Sequence, residues 1–165
     1  MEAIVLFADL LGFATLTEEH NVCEDDFEAH DRPETDEFLT ASLEDSCALV
    51  QTYIRFQVAV QSAVAYAHTA GDRATSVTFS DSAFVATETF ATAKNLAIAL
   101  MTKLLPHGIM LRVGIAQGSF VAIRFRADVS LGSGEHSAQF LGSGVVRAYA
   151  TAEKSRLKGA RILVC

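Results

Sequence analysis

Apolar segments of strand length alternate along this chain with segments whose apolar residues recur at helical spacing. The run at 3–8 predicts a buried strand, and residues 38–69 predict one long helix with at most one break. Downstream segments predict strand pairs at 75–80 with 83–87 and 109–115 with 119–126, helices at 90–105 and 143–156, and a strand at 161–165. This order predicts an α+β fold, with helices packed on a mostly antiparallel sheet.

The composition fits one folded domain spanning residues 1–165. Half of the residues are hydrophobic and 20% are charged, which excludes disordered and collagen-like chains. An acid-rich stretch containing a proline predicts a surface loop at 17–37, and a Gly/Ser-rich stretch predicts a mobile loop at 127–138.

Charge and cysteine content narrow the setting in which the protein acts. The net charge of −7 disfavours nucleic acid as a partner, although the basic segment 112–165 could hold a small polyanion. The sequence has no membrane-spanning apolar run and no basic signal-peptide start. Its three cysteines form no CxxC motif, so we expect reduced thiols and a cytoplasmic location.

Two aspartates stand where predicted strands end. Asp9 follows the first strand and Asp81 lies at the tip of the first hairpin, in the predicted turn 80–82. If strands 3–8 and 75–80 are neighbours, both carboxylates reach one sheet edge and could hold two divalent cations. Taken singly, Asp9 could instead cap a helix that starts at Leu10, and Asp81 could be an ordinary turn residue.

The predicted helix 143–156 carries cations that could neutralise a polyphosphate. Arg147 and Lys154 lie two turns apart, opposite a predicted apolar stripe, with Ser143 as the expected N-cap. A solvated basic helix face is the alternative. The predicted stripe consists of Val145, Val146, Tyr149 and Ala152.

Two apolar residues share a strand face with Asp81 by the two-residue period. Val77 and Phe79 would wall a pocket beside Asp81, or they are simply core residues. The turn formed by residues 10–13 could present backbone amides to phosphate oxygens.

Four motifs occur in the order found in class III nucleotidyl cyclases. Residues 6–13 and 79–85 resemble the two metal-binding motifs of that family, and 111–118 resembles its R-x-G-I-x-x-G strand and turn. Residues 141–149 lie where the catalytic helix of the family begins. The resemblance implies a ferredoxin-like cyclase domain that acts as a homodimer, with active sites between two chains.

The residues by which purine cyclases read the base and stabilise the transition state are replaced here. Val77 stands in place of a lysine and Gln139 in place of the base-contacting acid. Val146 and Ala150 stand in place of the catalytic asparagine and arginine. In these features, and over 118–125, 139–148 and 158–162, the chain is more similar to the pyrimidine cyclases of the bacterial Pycsar anti-phage system.

The resemblance implies conversion of UTP to cyclic UMP, which activates a separate effector protein. Two Mg²⁺ or Mn²⁺ ions would be held by Asp9, Asp81 and the Leu10 carbonyl. Arg147 and Lys154 would stabilise charge, and the substrate would contact the residues Leu11, Gly12, Phe13, Tyr53, Val77 and Phe79.

Three alternatives remain open at this point. A cytidylate cyclase would keep the same metal carboxylates, because no base-reading residue separates UTP from CTP. A catalytically inactive cyclase-like domain would bind nucleotide and regulate a partner. An α+β interaction domain would owe the motifs to packing alone.

Overall fold

The computed structural model describes residues 2–20, 47–126, 136–154 and 159–165 of the chain. In chain order, the elements are β1 (Glu2–Leu10), α1 (Phe13–Glu19), α2 (Ala48–Thr69), β2 (Ala74–Phe79), β3 (Ser82–Thr87), α3 (Phe90–Leu104), β4 (Leu111–Ser119), β5 (Val121–Arg126), β6 (His136–Leu141), α4 (Ser143–Lys154) and β7 (Arg161–Val164). A short 3₁₀ turn that contains Pro106 follows α3. No helix in these ranges has the length and apolar character needed to cross a membrane.

Several predicted boundaries differ from those of the structure. The long helix is described from Ala48 onward, with Cys47 as an extended N-cap, and its predicted portion 38–46 lies outside the described residues. Residues 17–19 of the predicted acidic loop belong to α1, and residues 136–138 of the predicted Gly/Ser-rich loop belong to β6. The remainder of both predicted loops, apart from His20, lies outside the described ranges.

The main sheet has the strand order β2-β3-β1-β4-β7, with β1 at its centre. β1 pairs antiparallel with β3 and β4, β2 pairs antiparallel with β3, and only β7 runs parallel to its neighbour in this sheet. The central place of β1 explains its nearly continuous apolar sequence, because a central strand covered on both faces buries side chains of both orientations. The predicted mostly antiparallel α+β fold is confirmed.

The predicted hairpin between 109–115 and 119–126 is wrong. Residues 116–119 continue β4 and pair with the first residues of β1, so the strand does not turn at Ala-Gln-Gly. β5 instead pairs with β6 in a separate two-stranded sheet. The sequence pattern did not reveal β6 as a partner, and the extra backbone hydrogen bonds to β1 favour the longer β4.

The two faces of the main sheet contact different helices. Leu6, Ala8 and Leu10 of β1 join a core cluster with residues of α2 and α3. Val5 and Phe7 alternate with them and join a second cluster with residues of α4. By the same alternation, Asp9 lies on the face that α4 covers.

Helix α4 packs closely on β4 through small residues, and the predicted apolar stripe is only partly right. Ala152 is buried and Val145 packs against the core cluster as predicted, whereas Val146 and Tyr149 do not belong to the buried face. A Cβ at Gly114 would lie 2.1 Å from the Ala148 carbonyl oxygen, and one at Gly118 would lie 2.4 Å from the Gly144 nitrogen. The buried residues of α4 are Gly144, Ala148 and Ala152, whereas Val146 is 67% and Tyr149 49% exposed. Close helix–sheet contact selects small side chains over large apolar ones.

Candidate active site

Asp9 is a buried carboxylate near the end of the central strand. The residue is only 7% exposed and lies on the face covered by α4. Strand β1 continues through Leu10 and α1 begins at Phe13, so Asp9 does not cap a helix that starts at Leu10. Burying a charged carboxylate is costly unless partners compensate it, which marks this position as specialised.

Asp81 lies in the two-residue turn between β2 and β3. The sequence had predicted a turn over residues 80–82. In the structure Phe79 pairs with Ser82, so Ser82 belongs to β3 and the turn consists of Ser80 and Asp81. Ser80 has a positive φ of 46°, an uncommon conformation for a residue other than glycine. The side-chain nitrogen of Gln57 on α2 donates a 3.3 Å hydrogen bond to the Ser80 carbonyl oxygen. Helix α2 thus helps to hold the turn that carries Asp81.

The structure brings Asp9 and Asp81 to the same end of the sheet. Asp9 pairs with Ser82, and the backbone N–H of Leu10 donates a 2.9 Å hydrogen bond to the carbonyl oxygen of Asp81. The strand of the hairpin that pairs with β1 is β3, and the condition considered for the sequence, that strand 75–80 lies beside strand 3–8, is not met. Asp81 still lies at the same sheet end as Asp9, because the turn that carries it joins β2 to β3.

Three further residues complete the surroundings of Asp9, and none of them was predicted as a site residue from the sequence. The Ser82 hydroxyl donates a 2.6 Å hydrogen bond to Asp9 Oδ1, and Arg112 Nε donates a 2.7 Å bond to Asp9 Oδ2. Arg112 Nη2 also forms a 2.5 Å ion pair with Glu153 Oε1 on α4. The alternation of β4 was an available signal, because Arg112 stands between the buried residues Leu111 and Val113 and so faces α4.

The side chains present fit a hard divalent cation by their chemistry. Mg²⁺ is commonly bound through one or two carboxylates together with substrate phosphates, which matches a pair of aspartates at one sheet end. Asp9 Oδ1 accepts from Ser82 and Oδ2 accepts from Arg112, so a cation bound to this carboxylate would lie beside the guanidinium. Among the described residues, no group of three or more His, Cys, Asp or Glu side chains could hold a metal ion. That Asp9, Asp81 and the Leu10 carbonyl would hold the ions remains a prediction.

An aromatic cluster lines the sheet face beside Asp9. The Phe79 ring stacks on Phe84 and Phe140, with centroid distances of 6.0 and 5.7 Å. Phe7 contacts Phe84 at 4.8 Å and Tyr149 of α4 at 5.4 Å. Phe79 therefore packs as a core residue on its inner side, while much of its ring stays exposed.

Val77 shares this face by the strand alternation, and it is buried. Its position supports both interpretations given for it, as a core residue and as a wall residue. Its part in substrate binding, like that of Phe79, remains a prediction.

The predicted cations of α4 lie at different places relative to Asp9. Arg147 Nη1 donates a 3.0 Å hydrogen bond to the Gln117 carbonyl oxygen. Since Gln117 is five residues along β4 from Arg112, Arg147 is anchored about 17 Å along the strand from the partner of Asp9. Lys154 is exposed and directly follows Glu153 at the end of α4. Within one chain, Arg147 does not reach the aspartates.

Ser143 does not act as the predicted N-cap of α4. It is the first residue of the helix, and its hydroxyl accepts a 3.1 Å hydrogen bond from the backbone N–H of Ser119. The N–H of Val146 instead bonds to the Gly142 carbonyl, as expected when Gly142 precedes the first helical residue. The hydroxyl therefore ties α4 to the end of β4.

The predicted phosphate-binding turn connects β1 to α1. Leu11 N–H bonds to the Met110 carbonyl at 2.9 Å, and Gly12 adopts a left-handed conformation with φ of 82° before α1. The rings of Phe13 and Tyr53 have centroids 6.5 Å apart, so the structure places Tyr53 of α2 beside this turn. The substrate contacts proposed for Leu11, Gly12, Phe13 and Tyr53 remain predictions.

Comparisons with known proteins identify the fold through structure alone. No family model matches the sequence, and no curated protein matches it. A bacterial light-regulated adenylyl cyclase matches with a TM-score of 0.60 and 14% identity; the match covers 92% of this chain but only 39% of that one. The adenylyl cyclase CyaB from P. aeruginosa matches with a TM-score of 0.56 and 18% identity, over 99% of this chain and 76% of that one.

A third match is to a guanylate cyclase domain whose structure contains GTP. This domain of RhGC from Catenaria anguillulae has a TM-score of 0.57 and 15% identity, over 99% of this chain and 77% of that one. At these identities the likeness concerns the fold and leaves the substrate open. The chain has the fold of adenylyl and guanylyl cyclase domains.

Proposed function

We propose that this chain is a nucleotide cyclase domain that converts UTP to 3′,5′-cyclic UMP and pyrophosphate. The observation that carries the proposal is the convergence of Asp9 and Asp81 at one sheet end, joined by the hydrogen bond between Leu10 N–H and the Asp81 carbonyl. The fold shared with adenylyl and guanylyl cyclase domains supports the proposal as well.

The chain's own residues have distinct tasks in this reaction. Asp9, Asp81 and the Leu10 carbonyl hold Mg²⁺ or Mn²⁺, which when bound neutralises phosphate charge and lowers the pKa of the ribose 3′-hydroxyl. The 3′-hydroxyl gives up its proton to solvent and its oxygen attacks the α-phosphorus in line. The bond between the α-phosphorus and the oxygen that bridges it to the β-phosphate breaks, and pyrophosphate leaves. Arg147 and Lys154 stabilise the negative charge on the phosphates, since positioning and electrostatics supply most of the acceleration in phosphoryl transfer.

A homodimer completes the site. Arg147 is anchored at Gln117, far along β4 from Asp9 in the same chain. Helix α4 also exposes Val146 and Tyr149, apolar side chains that a partner subunit would cover. In a head-to-tail pairing, the aspartates of one subunit face Arg147 of the other.

Preference for a pyrimidine base rests on the sequence resemblance and on the aromatic face. Val77 replaces the lysine of the purine cyclases, and Phe79 lies on the same strand face as Val77. These apolar side chains would narrow the pocket to one ring. A cyclic pyrimidine nucleotide would then act as an anti-phage messenger that activates a separate effector protein. Cyclic CMP from CTP is the alternative product.

Product analysis tests the activity directly. The protein is incubated with Mn²⁺ and each of the four nucleoside triphosphates, and the products are identified by mass. We expect cyclic UMP, loss of activity in Asp9→Asn and Asp81→Asn, and unchanged activity in the matched control Asp72→Asn, an exposed aspartate after α2. Exclusive formation of a cyclic purine nucleotide, or turnover that survives both aspartate substitutions, would contradict the proposal.

A regulatory domain that binds nucleotide without turnover is the second candidate. The pairing of Asp9 with Arg112 favours it, because a cation already neutralises one of the two metal carboxylates. Val146 and Ala150 at the positions of the catalytic asparagine and arginine favour it as well. Saturable UTP binding in the absence of any product would establish this candidate instead.

A further inference from the structure

Arg112 joins two carboxylates that belong to different elements. Its Nε donates to Asp9 Oδ2 at 2.7 Å, and its Nη2 pairs with Glu153 Oε1 at 2.5 Å. The Arg112 side chain is partly buried, as is that of Glu153, whereas Asp9 is nearly inaccessible. An arginine can serve two acceptors in this way because its guanidinium carries five donors in a fixed fork.

We propose that Arg112 is a built-in counter-cation that competes with divalent metal for Asp9, and that Glu153 holds Arg112 when the metal binds. This inference rests on the proposed function, since it concerns the metal carboxylates of that function. It assigns to Arg112 and Glu153 a positioning role that controls metal affinity.

The competition follows from the position of Arg112. A divalent cation bound to the Asp9 carboxylate would lie within a few ångströms of the guanidinium, and their repulsion is strong in a partly buried site. Without metal, the same guanidinium compensates the buried Asp9 charge. The Asp9 charge is therefore compensated either by the metal or by Arg112, and not by both at once.

Glu153 makes the release of Asp9 feasible. Removing the partner of a buried charge is normally costly, because the charge that remains is uncompensated. Here Arg112 keeps an ion pair with Glu153 after it leaves Asp9, and Ser82 still donates to Asp9 Oδ1. The carboxylate thus stays oriented, and no cation is left alone. Since Glu153 is in the last turn of α4, metal binding would tighten the attachment of this helix to β4.

Mn²⁺ binding to the full chain, measured by paramagnetic resonance of the free ion without nucleotide, tests the proposal. We expect Arg112→Gln to tighten Mn²⁺ binding about tenfold, which corresponds to about 1.4 kcal/mol. Glu153→Gln should weaken it severalfold, because Arg112 then interacts with Asp9 alone. The double variant should match Arg112→Gln, because the effect of Glu153 is transmitted by Arg112. The matched control is Arg73→Gln, which removes an exposed arginine paired with Glu88 on the sheet.

Several outcomes would overturn the inference. Unchanged or weaker Mn²⁺ binding in Arg112→Gln would show that the arginine is only structural, and a Glu153 effect that persists in the double variant would show a direct charge effect. A melting curve recorded without metal shows whether Arg112→Gln is folded. If it is not folded, the test rests on Glu153→Gln, and unchanged Mn²⁺ binding in that variant rejects the proposal. Equal Mn²⁺ binding in the wild type and in Asp81→Asn would reject the proposed function as well. The outcomes for Arg112→Gln and Glu153→Gln reject only the present inference, so the two failures can be distinguished.

Discussion

Ser82 stands directly opposite Asp9 in the pairing of β1 with β3, and its hydroxyl donates a 2.6 Å hydrogen bond to Asp9 Oδ1. Both residues are buried, so water cannot replace this bond. The next residue toward the turn is Asp81. The hydroxyl therefore fixes the orientation of one aspartate at the point where the hairpin presents the other.

Replacing Ser82 by alanine should destabilise the protein by about 1.5–3 kcal/mol, the range for a hydrogen bond to a charged group. Urea unfolding followed by circular dichroism measures the change. The control Thr75→Val removes a hydroxyl at an exposed position of β2 and should cost less than about 0.5 kcal/mol. Equal stability of the two variants would show that Ser82 contributes nothing to holding Asp9.

Gly114→Ala should detach α4 from the sheet. The new Cβ would lie 2.1 Å from the backbone oxygen of Ala148, which cannot move without moving the helix. We expect a loss of about 3 kcal/mol or more, together with loss of nucleotide turnover. Thermal melting with near-ultraviolet circular dichroism reports the change in packing.

Gly71→Asn is the matched control for the glycine substitution. Gly71, unlike Gly114, has a positive φ, of 85°, but nothing lies within 4 Å of its Cβ position, and asparagine tolerates that conformation. Its stability should stay within about 1 kcal/mol of the wild type. A larger loss in Gly71→Asn than in Gly114→Ala would refute the assignment of Gly114 as the close-contact site.

Val146→Glu should convert the proposed homodimer to monomer, because it places a charge in the apolar surface of α4. Light scattering coupled to size-exclusion chromatography measures the mass at several concentrations. The control is Tyr66→Glu, which charges a residue that is 74% exposed on α2, a helix on the other face of the sheet. A monomeric wild type, or a dimer that both variants leave intact, would be inconsistent with pairing through α4.

Mixing two inactive variants tests whether each active site takes residues from both subunits. Asp9→Asn and Arg147→Ala alone should each lose most activity. In an equimolar mixture about half of the dimers are mixed and each has one intact site, so about a quarter of wild-type activity should return. Activity no higher than that of the separate variants would indicate that Arg147 acts within its own chain or not at all.

The sequence was sufficient for much of the fold because local patterns specify local structure. The apolar run of β1, the hairpin around Asp81 and the end of α3 near Pro106 lie close to where the patterns place them. The pairing of β4 was not predictable in the same way. Its apolar alternation fits either a hairpin with β5 or a long ladder with β1, and only the complete sheet distinguishes the two.

The residues of the candidate site likewise include some that local sequence patterns predict and some that they do not. Asp9 and Asp81 could be singled out because carboxylates at strand ends stand out against apolar surroundings. The bonds of Ser82 and Arg112 to Asp9 could not be predicted, since these residues lie 73 and 103 residues from Asp9; strand alternation indicated only the sheet face of Arg112. Their importance comes from contact with a buried charge, which no local pattern records.

The sequence by itself determined most of the strands and helices, α1 and β6 excepted, and which two acidic residues lie near strand ends, because those properties depend on residues that are close in the chain. Only the tertiary structure decided which face of α4 meets the sheet and what surrounds Asp9. Close packing against Gly114 and Gly118 favoured the small residues of α4 over its large apolar ones. That choice turned Val146 outward and brought Glu153 to Arg112, because steric fit over the whole helix outweighs the hydrophobicity of single side chains.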